Sequence, residues 1–402
     1  MNKKVLFLDS LVFNSNIQVG SHKYANLFKN NGYEVFSLSE YLNVYKFIRR
    51  NSQDKELIES WRKGIQMSKE GISFYTPFCF LPYLNLPVLD SLKVANNCLK
   101  FCRPNLRTIF RKESFVEIDV AFINNIRLFP ALKFVNPGVK VLRISDRIEA
   151  FKNVPDTIAL LQNEVVRASD IIFTTSMNLC EETKEINKNT YYLPNGVEED
   201  FIMEKDEAYS PPGEYKNIKN PIILYIGAIS DWFDYDLYEY GIAKLRDLSF
   251  VAIGPVSGVN YRKNLAKIQR YIKIYENFHY LGTKEHSKLK RYLACSDVGV
   301  IPFKVNSLTN EINPVKFFEY TACGLPVIAS RLSELVNYGE NVLLCNNREE
   351  YVVMLGNCLD KKKHLSQKLI SFAHENTWEK RFEFMLSRIE RLKNDGNNHC
   401  DR

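Results

Sequence analysis

Short apolar runs rich in Val, Ile and Phe alternate with longer helical patterns along most of the chain. This alternation is typical of parallel sheets whose strands are joined by crossover helices. The runs fall into two sets, separated by a stretch at 206–220 that is rich in Pro, Gly and polar residues. The sequence therefore predicts an α/β fold with two Rossmann-like doubly wound parallel-sheet domains, whose strand carboxyl ends face a ligand cleft.

The predicted domains span residues 1–203 and 204–375, and a last helical segment with a polar tail spans 376–402. Apolar side chains recur at helical spacing in that segment, at Trp378, Phe382, Met385, Leu386 and Ile389. Because such a stripe needs a surface to pack on, we expect the helix to return to the N-terminal domain.

The spacing of the cysteines and histidines bears on whether the chain contains a disulfide framework or a zinc site. The nine cysteines are scattered and never form a C-x2-C pair, and the six histidines do not cluster near them. Neither a disulfide framework nor a zinc site is indicated, and we expect no metal and no cofactor. The amino terminus runs directly into the apolar strand at Val5 without a signal peptide, which predicts a cytoplasmic location.

Residues 41–112 combine basic charge with an uncharged apolar stretch. The segment holds thirteen Lys/Arg against five Asp/Glu, and 71–89 carries no charge. Three prolines inside that stretch argue against a transmembrane helix and predict an irregular segment. The surrounding charge favours peripheral contact with the inner membrane face, with a solvated surface as the alternative. No nucleic-acid motif accompanies the charge, so no nucleic-acid partner is expected.

The segment 311–326 predicts a loop, a capped helix and then a strand. Asn313 is a favoured N-cap, Pro314 suits the first helical position, and Val315 falls on the apolar face. Lys316 and Glu319 share a different face. A helix amino terminus offers unpaired N–H groups and partial positive charge, so a diphosphate can bind there beside Lys316.

The two glutamates of this segment have separate expected tasks. Glu319 can accept hydrogen bonds from two ribose hydroxyls, and Glu311 lies nearer the sugar end of the same donor. The E-x7-E spacing, followed by a small-Gly-x-Pro-Val strand, resembles the donor signature of family 4 and related GT-B glycosyltransferases. The segments 226–237 and 249–255 resemble the subgroup that contains teichuronic acid and xanthan-type enzymes.

The resemblance implies transfer of a hexosyl or glucuronosyl unit from a nucleotide diphosphate sugar, with UDP as the expected nucleotide. The expected acceptor is a glycan or lipid-linked oligosaccharide of bacterial cell-surface polysaccharide synthesis, and retention is favoured over inversion. The implied donor-binding residues are Gly227, Gly254, Tyr280, Gly282, Lys304, Asn313, Pro314, Val315, Lys316 and Glu319. The family's Arg and Lys after the first strand of the second domain are missing after Gly227, which leaves Lys316, Lys304 or Arg147 to neutralise the phosphates.

The acceptor side is predicted from loops that follow strands of the first domain. Asp146 and His22 lie just beyond predicted strand ends and, with Glu311, are the expected catalytic residues. Asp146 is the preferred general base for an inverting reaction, although it could instead pair with a neighbouring arginine. The expected acceptor-binding residues are Gln18, Gly20, Ser21 and Arg147.

Two other functions remain open at this point. A nucleotide-sugar epimerase of the same fold would share the donor site but would leave the basic segment 41–112 unexplained. A non-catalytic membrane-surface binding protein would use that segment and a degenerate nucleotide site. A nicotinamide oxidoreductase is disfavoured because 5–38 contains no G-x-G-x-x-G.

Overall fold

The computed structural model describes residues 3–15, 19–150, 154–204, 207–359 and 362–400. The chain divides into two compact units. Met1–Pro194 and Phe382–Arg402 form the first, and Asn195–Arg381 the second. The division follows Pro194 rather than residue 203, because the chain from Asn195 onward is already bonded to the second unit through Asn313.

The first unit is built on an eight-stranded sheet in the order β10-β9-β8-β7-β1-β2-β4-β3, with a separate antiparallel pair formed by β5 and β6. All neighbouring strands of the large sheet are parallel except β3 and β4. Its strands are β1 Lys4–Leu8, β2 Glu34–Leu38, β3 Gln66–Met67, β4 Ser73–Tyr75, β5 Phe78–Cys79, β6 Cys102–Arg103, β7 Glu117–Ile123, β8 Asn136–Ile144, β9 Ile171–Thr174 and β10 Thr190–Tyr192. Its helices are α1 Gly20–Asn30, α2 Val44–Arg49, α3 Ser52–Lys63, α4 Leu92–Ala95, α5 Leu106–Lys112, α6 Ile158–Ala168 and α7 Met177–Ile186.

The second unit holds a six-stranded, fully parallel sheet in the order β13-β12-β11-β14-β15-β16. Its strands are β11 Ile222–Ile226, β12 Ser249–Ile253, β13 Phe278–Tyr280, β14 Val298–Ile301, β15 Val327–Ser330 and β16 Leu343–Cys345. Its helices are α8 Tyr235–Lys244, α9 Tyr261–Ile274, α10 His286–Ala294, α11 Val315–Ala322, α12 Ser333–Val336, α13 Arg348–Leu359 and α14 Lys362–His374. Strands β11, β12, β14 and β15 are buried along their whole length, as helices on both faces require.

The last helix, α15, spans Trp378–Cys400 and passes from the second unit into the first. Phe382 is buried, and its ring packs edge-on against Phe28 of α1, with 4.8 Å between centroids. Met385 and Ile389 are also buried. The apolar stripe is therefore the packing face, and the helix extends through the polar tail to Cys400.

The uncharged stretch 71–89 is more ordered than predicted. Ser73–Tyr75 forms β4, which pairs in parallel with β2, and Phe74 and Tyr75 are buried. The prediction of an irregular segment did not include this strand or β5, because strands of two or three residues are too short to show an alternating pattern. Among the described residues, no helix has the length and apolarity that crossing a bilayer requires.

Candidate functional site

Three glycines line the carboxyl ends of neighbouring strands in the second unit. Gly227 follows β11 with φ of 141°, and Gly254 follows β12 with φ of 138°. The Gly227 N–H donates to Ile253 O, and the Gly254 N–H donates to Gly282 O, both at 2.9 Å. A Cβ at Gly254 would collide with the Gly227 carbonyl. Only glycine allows this close approach of the two strand ends.

Lys316 lies directly over this glycine edge. A Cβ at Gly227 would lie only 2.8 Å from Lys316 Nζ. The ammonium is 4.5 Å from the centroid of the Phe303 ring and 5.0 Å from that of Tyr225. Among the described residues it has no hydrogen bond or ion pair. Burial lowers the pKa of Lys316 to about 8, and the charge of Glu319 only partly opposes this shift.

Helix α11 begins one residue later than predicted. Pro314 occupies the N-cap position in an extended conformation and offers no side-chain cap. The prediction that Asn313 caps the helix was wrong, because its side chain is used elsewhere: Oδ1 accepts from the Asn195 N–H at 2.9 Å, and Nδ2 donates to the Tyr338 hydroxyl at 2.6 Å. The backbone N–H groups of Val315 and Lys316 have no partner among the described residues, which leaves two donors beside the Lys316 ammonium.

The helix is held on the sheet by a tyrosine and a glycine. The Tyr320 hydroxyl accepts from the Ile226 N–H at 2.8 Å, and its ring lies over Gly299 in β14 so closely that any Cβ there would clash. Phe318 and Ala322, on the predicted inward face, are fully buried, while Val315 is half-buried. These packing contacts fix where Lys316 and Glu319 lie relative to the strand ends.

Gly299→Ala should therefore lower the free energy of unfolding of the second unit by about 1–3 kcal/mol, because the added methyl group displaces the Tyr320 ring. Calorimetric or urea denaturation measures the change. Gly356→Ala in α13 is the matched control, since a Cβ there meets nothing within 4 Å. Equal stability of Gly299→Ala and the native chain would contradict this account of how α11 is seated.

Glu319 is bonded to a histidine that the sequence did not single out. Its Oε1 lies 3.0 Å from His286 Nε2, and His286 Nδ1 lies 3.7 Å from Glu198 Oε2. The Glu319 side chain is 13% exposed. His286 is the first residue of α10, shortly after Gly282, and only its place after a glycine-ended strand could have suggested it.

Glu311 and Tyr280 are two further candidates for the donor site. Glu311 ends the turn before α11 and is 8% exposed, so it does not face bulk solvent. The Tyr280 hydroxyl donates to Gly254 O at 2.8 Å and so belongs to the glycine edge.

The loop after β11, where the resemblance implies a phosphate-binding Arg and Lys, is held by hydrogen bonds to Asp231. Burial alone would raise the pKa of Asp231, but hydrogen bonds from Asn264, Asn260 and the Val259 N–H outweigh it and lower the pKa. Lys304 donates to the carbonyl of this same Asp231 at 2.7 Å. Asp231 and Lys304 therefore hold loops together, and Lys316 is the cation best placed to neutralise a bound anion in this unit.

The acceptor-side candidates of the first unit gather at strand carboxyl ends. His22 and Asp9 are both buried, with His22 Nε2 3.7 Å from Asp9 Oδ2. Burial lowers the pKa of His22 more than Asp9 raises it. Both ring nitrogens lack a hydrogen bond among the described residues. His22 therefore lies buried in α1 beside Asp9 instead of in an open loop.

A polar network surrounds this pair. Asn124 donates to Asp9 Oδ1 at 3.2 Å and to the Ser21 hydroxyl at 3.4 Å. Arg143 is buried, and burial lowers its pKa although the charges of Asp146 and Asp9 oppose the shift. Asp9, Asn124 and Arg143 were not predicted as site residues. The sequence offered a signal for Asp9 and Asn124, because each directly follows a run of apolar strand residues, whereas Arg143 lies within β8.

The remaining acceptor candidates are placed differently. Arg147 donates to both carboxylate oxygens of Glu182 at 2.8 Å, so its charge is already paired. Gly20 and Ser21 open α1, and Ser21 is buried. Gln18 lies outside the described residues.

Comparison with known sequences matches residues 220–361 to the family described as glycosyl transferases group 1. A Bacillus subtilis (strain 168) protein named for a glycosyltransferase of teichuronic acid biosynthesis, TuaH, is 22% identical over 173 residues. That match covers 42% of this chain and 42% of the relative, so the chain aligns with less than half of it.

Solved structures match over almost the whole length. A glycosyltransferase from Rickettsia africae has a TM-score of 0.65 at 16% identity and covers 97% of this chain and 98% of its own. Anabaena Alr3699/HepE, solved with UDP and glucose, has a TM-score of 0.65 at 14% identity, with 96% and 99% covered. Sucrose-phosphate synthase from Thermosynechococcus elongatus reaches 0.68 at 13%, with 97% and 99% covered. Residues 220–361 are therefore similar to the glycosyl transferases group 1 family, and the chain has the GT-B fold of these solved structures.

Proposed function

We propose that this protein transfers a sugar from a nucleotide diphosphate sugar, with UDP as the nucleotide, to a glycan or lipid-linked acceptor. The observation that carries the proposal is the Lys316 ammonium, which lies over Gly227 without a bonded anion among the described residues. Beside it are two unpaired N–H groups at the start of α11. Cation, helix amino terminus and glycine edge together suit a diphosphate.

The nucleoside has a matching partner one helical turn away. Glu319 is held by His286 through Oε1, which leaves Oε2 to accept hydrogen bonds from ribose hydroxyls. The glycine edge from Gly227 to Gly254 presents backbone instead of side chains, so a flat base can approach it closely. Support for UDP comes from Alr3699/HepE, a relative in fold whose structure contains UDP.

In the proposed reaction the donor's bond between sugar and diphosphate breaks, and the acceptor oxygen bonds to the anomeric carbon. Lys316 and the α11 N–H groups stabilise charge on the departing diphosphate, while Glu311 positions the sugar. In a retaining reaction the departing phosphate takes the acceptor proton, and we favour this course. In an inverting reaction Asp146 would be the base.

We further propose that the first unit binds the acceptor and touches the inner membrane face through residues 41–112. Asp146, at the carboxyl edge of that sheet, is the acceptor-side group, and His22 acts through Asp9 as a positioning residue. The resemblance to teichuronic acid enzymes supports cell-surface polysaccharide synthesis as the setting. A lipid-linked acceptor would require the enzyme to work at a bilayer.

Calorimetric titration with UDP, GDP, ADP and NAD⁺ tests the donor assignment. We expect UDP to bind at least tenfold more tightly than the others. Incubation with UDP-sugars and a lipid-linked acceptor should then release UDP and form a glycosylated product, whose anomeric configuration is read by NMR. Equal, weak binding of all four nucleotides, or isomerisation of the UDP-sugar without transfer, would contradict the proposal.

A further inference from the structure

One face of the first unit joins exposed apolar side chains to unpaired cations. We define the basic aromatic surface by α2, the antiparallel pair of β5 and β6, and the cations beside them. Its exposed apolar members are Val44, Tyr45, Ile48, Phe80 and Phe101. Ile48 is 74% exposed and Phe80 is 62% exposed, and exposed apolar side chains mark an interaction site where they form a contiguous patch.

The apolar members of α2 form one arc of the helix. Val44, Tyr45 and Ile48 lie within about 100° of one another at 100° per residue. Asn43 caps the helix by accepting from the Lys46 N–H at 2.9 Å, so the arc is held in place at its start. The guanidinium of Arg49 stacks 5.4 Å from the Tyr45 ring and marks the edge of the arc.

Successive contacts between aromatic rings connect α2 to the β5–β6 pair. Phe47 meets Trp61 edge-on with 6.4 Å between centroids, Trp61 lies 5.5 Å from Phe78, and Phe78 lies 5.0 Å from Phe80. The Phe80 N–H then donates to Phe101 O at 3.3 Å. The exposed apolar side chains are therefore parts of one continuous surface.

The cations around this surface have no acidic partners among the described residues. They are exposed and comprise Arg50, Lys55, Arg62, Lys100, Arg103 and Arg107. The nearby acids are already occupied, since Asp54 pairs with Arg49 at 2.7 Å and Glu59 pairs with Lys63. Arg50 and Arg103 donate only to backbone carbonyls. The surface thus keeps its positive charge available to an anionic partner.

We propose that the basic aromatic surface docks this protein onto an anionic lipid bilayer. Val44, Ile48, Phe80 and Phe101 would enter the boundary between headgroups and acyl chains, while the guanidinium and ammonium groups contact lipid phosphates. Aromatic rings flanked by arginines suit this boundary, where one end of a side chain is apolar and the other is wet. A nucleic acid would use the cations but would leave the aliphatic side chains of α2 in water. The inference gives the proposed membrane contact its residues and lipid chemistry, and it rests on that proposal.

Co-sedimentation of the full chain with sucrose-loaded vesicles tests the inference. We expect binding to phosphatidylglycerol-rich vesicles, weakened by salt, and little binding to pure phosphatidylcholine. Ile48→Ser with Phe80→Ser should lower the partition coefficient roughly tenfold or more. Arg50→Gln with Arg103→Gln should lower it roughly ten- to thirtyfold on the anionic vesicles.

The control pair is Ile272→Ser with Val353→Ser, two exposed apolar residues of the second unit. It should bind vesicles like the native chain. Native binding by both test pairs, or equal binding of the native chain to neutral and anionic vesicles, would overturn the inference. UDP titration of the same proteins separates the two proposals: unchanged UDP binding without vesicle binding refutes only the membrane surface, and vesicle binding without UDP binding refutes only the donor assignment.

Discussion

Lys316→Met is expected to weaken UDP binding roughly 30- to 150-fold near pH 7, as loss of a charge-assisted phosphate contact worth about 2–3 kcal/mol would do. The ammonium lies over Gly227 between two aromatic rings, so the unbound protein already has it in the proposed binding position. Lys304 and Arg147, the other two candidates, are bonded to Asp231 and to Glu182, so we expect Lys316 to make the main phosphate contact. Isothermal titration calorimetry measures the change.

The same lysine predicts how UDP binding depends on pH. Burial lowers the pKa of Lys316 to about 8, so the free protein carries the charge below that pH and loses it above. A bound diphosphate favours the charged form and raises its pKa, so affinity should be highest below about pH 8 and fall as pH rises past it. Binding measured from about pH 7 to about pH 9.5 should show this decline in the native chain. It should be absent from Lys316→Met and from Lys316→Arg.

Lys273→Met is the matched control, since Lys273 is an exposed residue of α9. Its affinity and pH profile should equal those of the native chain. If Lys316→Met bound UDP within twofold of the native chain, or if its pH profile still fell above about pH 8, the diphosphate would have to bind elsewhere.

The main sheets were predictable because their strands are long, buried and bounded by glycine or polar residues. Strands β11, Ile222–Ile226, and β2, Glu34–Leu38, are two such apolar runs. Strands β3 and β5 were missed because two residues cannot display a period. Pairing between distant segments, such as Phe78 with Arg103, creates these strands and leaves no local pattern.

The candidate donor site was predictable only in outline. The sequence placed Lys316 and Glu319 on one helical face, as the structure has them, because i and i+3 positions follow from helix geometry alone. The role of Asn313 was not predictable. Its preference for helix caps is a local tendency, and two tertiary hydrogen bonds, to Asn195 and Tyr338, outweigh it. His286 reaches Glu319 only through the packing of α10, which no spacing reveals.

The surroundings of the acceptor-side residues were even less predictable from the sequence. A loop position suggested that His22 is accessible, yet the residue lies inside α1 and is buried against Asp9. Burial of a polar pair depends on neighbouring elements, here Asn124 after β7 and Arg143 at the end of β8. Sequence patterns give the edge of the sheet on which such residues lie but not their partners.

Substitutions of Glu311 and Glu319 are expected to impair different steps of the reaction. Glu319→Ala should weaken UDP binding roughly tenfold, as loss of hydrogen bonds from ribose to a carboxylate would do. Glu311→Ala should leave UDP binding within about threefold but lower kcat for transfer roughly 100-fold or more, because its carboxylate acts on the sugar. UDP titration and steady-state transfer kinetics distinguish the two effects.

Glu311 is 8% exposed, so its alanine variant could lose structure as well as function. Glu311→Gln keeps the shape and removes only the charge, and it should show the same fall in kcat with native thermal stability. Glu276→Ala, at a position outside the site between α9 and β13, is the matched control for both steps. The assignment fails if Glu311→Gln transfers sugar at the native rate, or if Glu319→Ala binds UDP as tightly as the native chain. An exchange of the two effects would mean that the donor binds in the opposite orientation along α11.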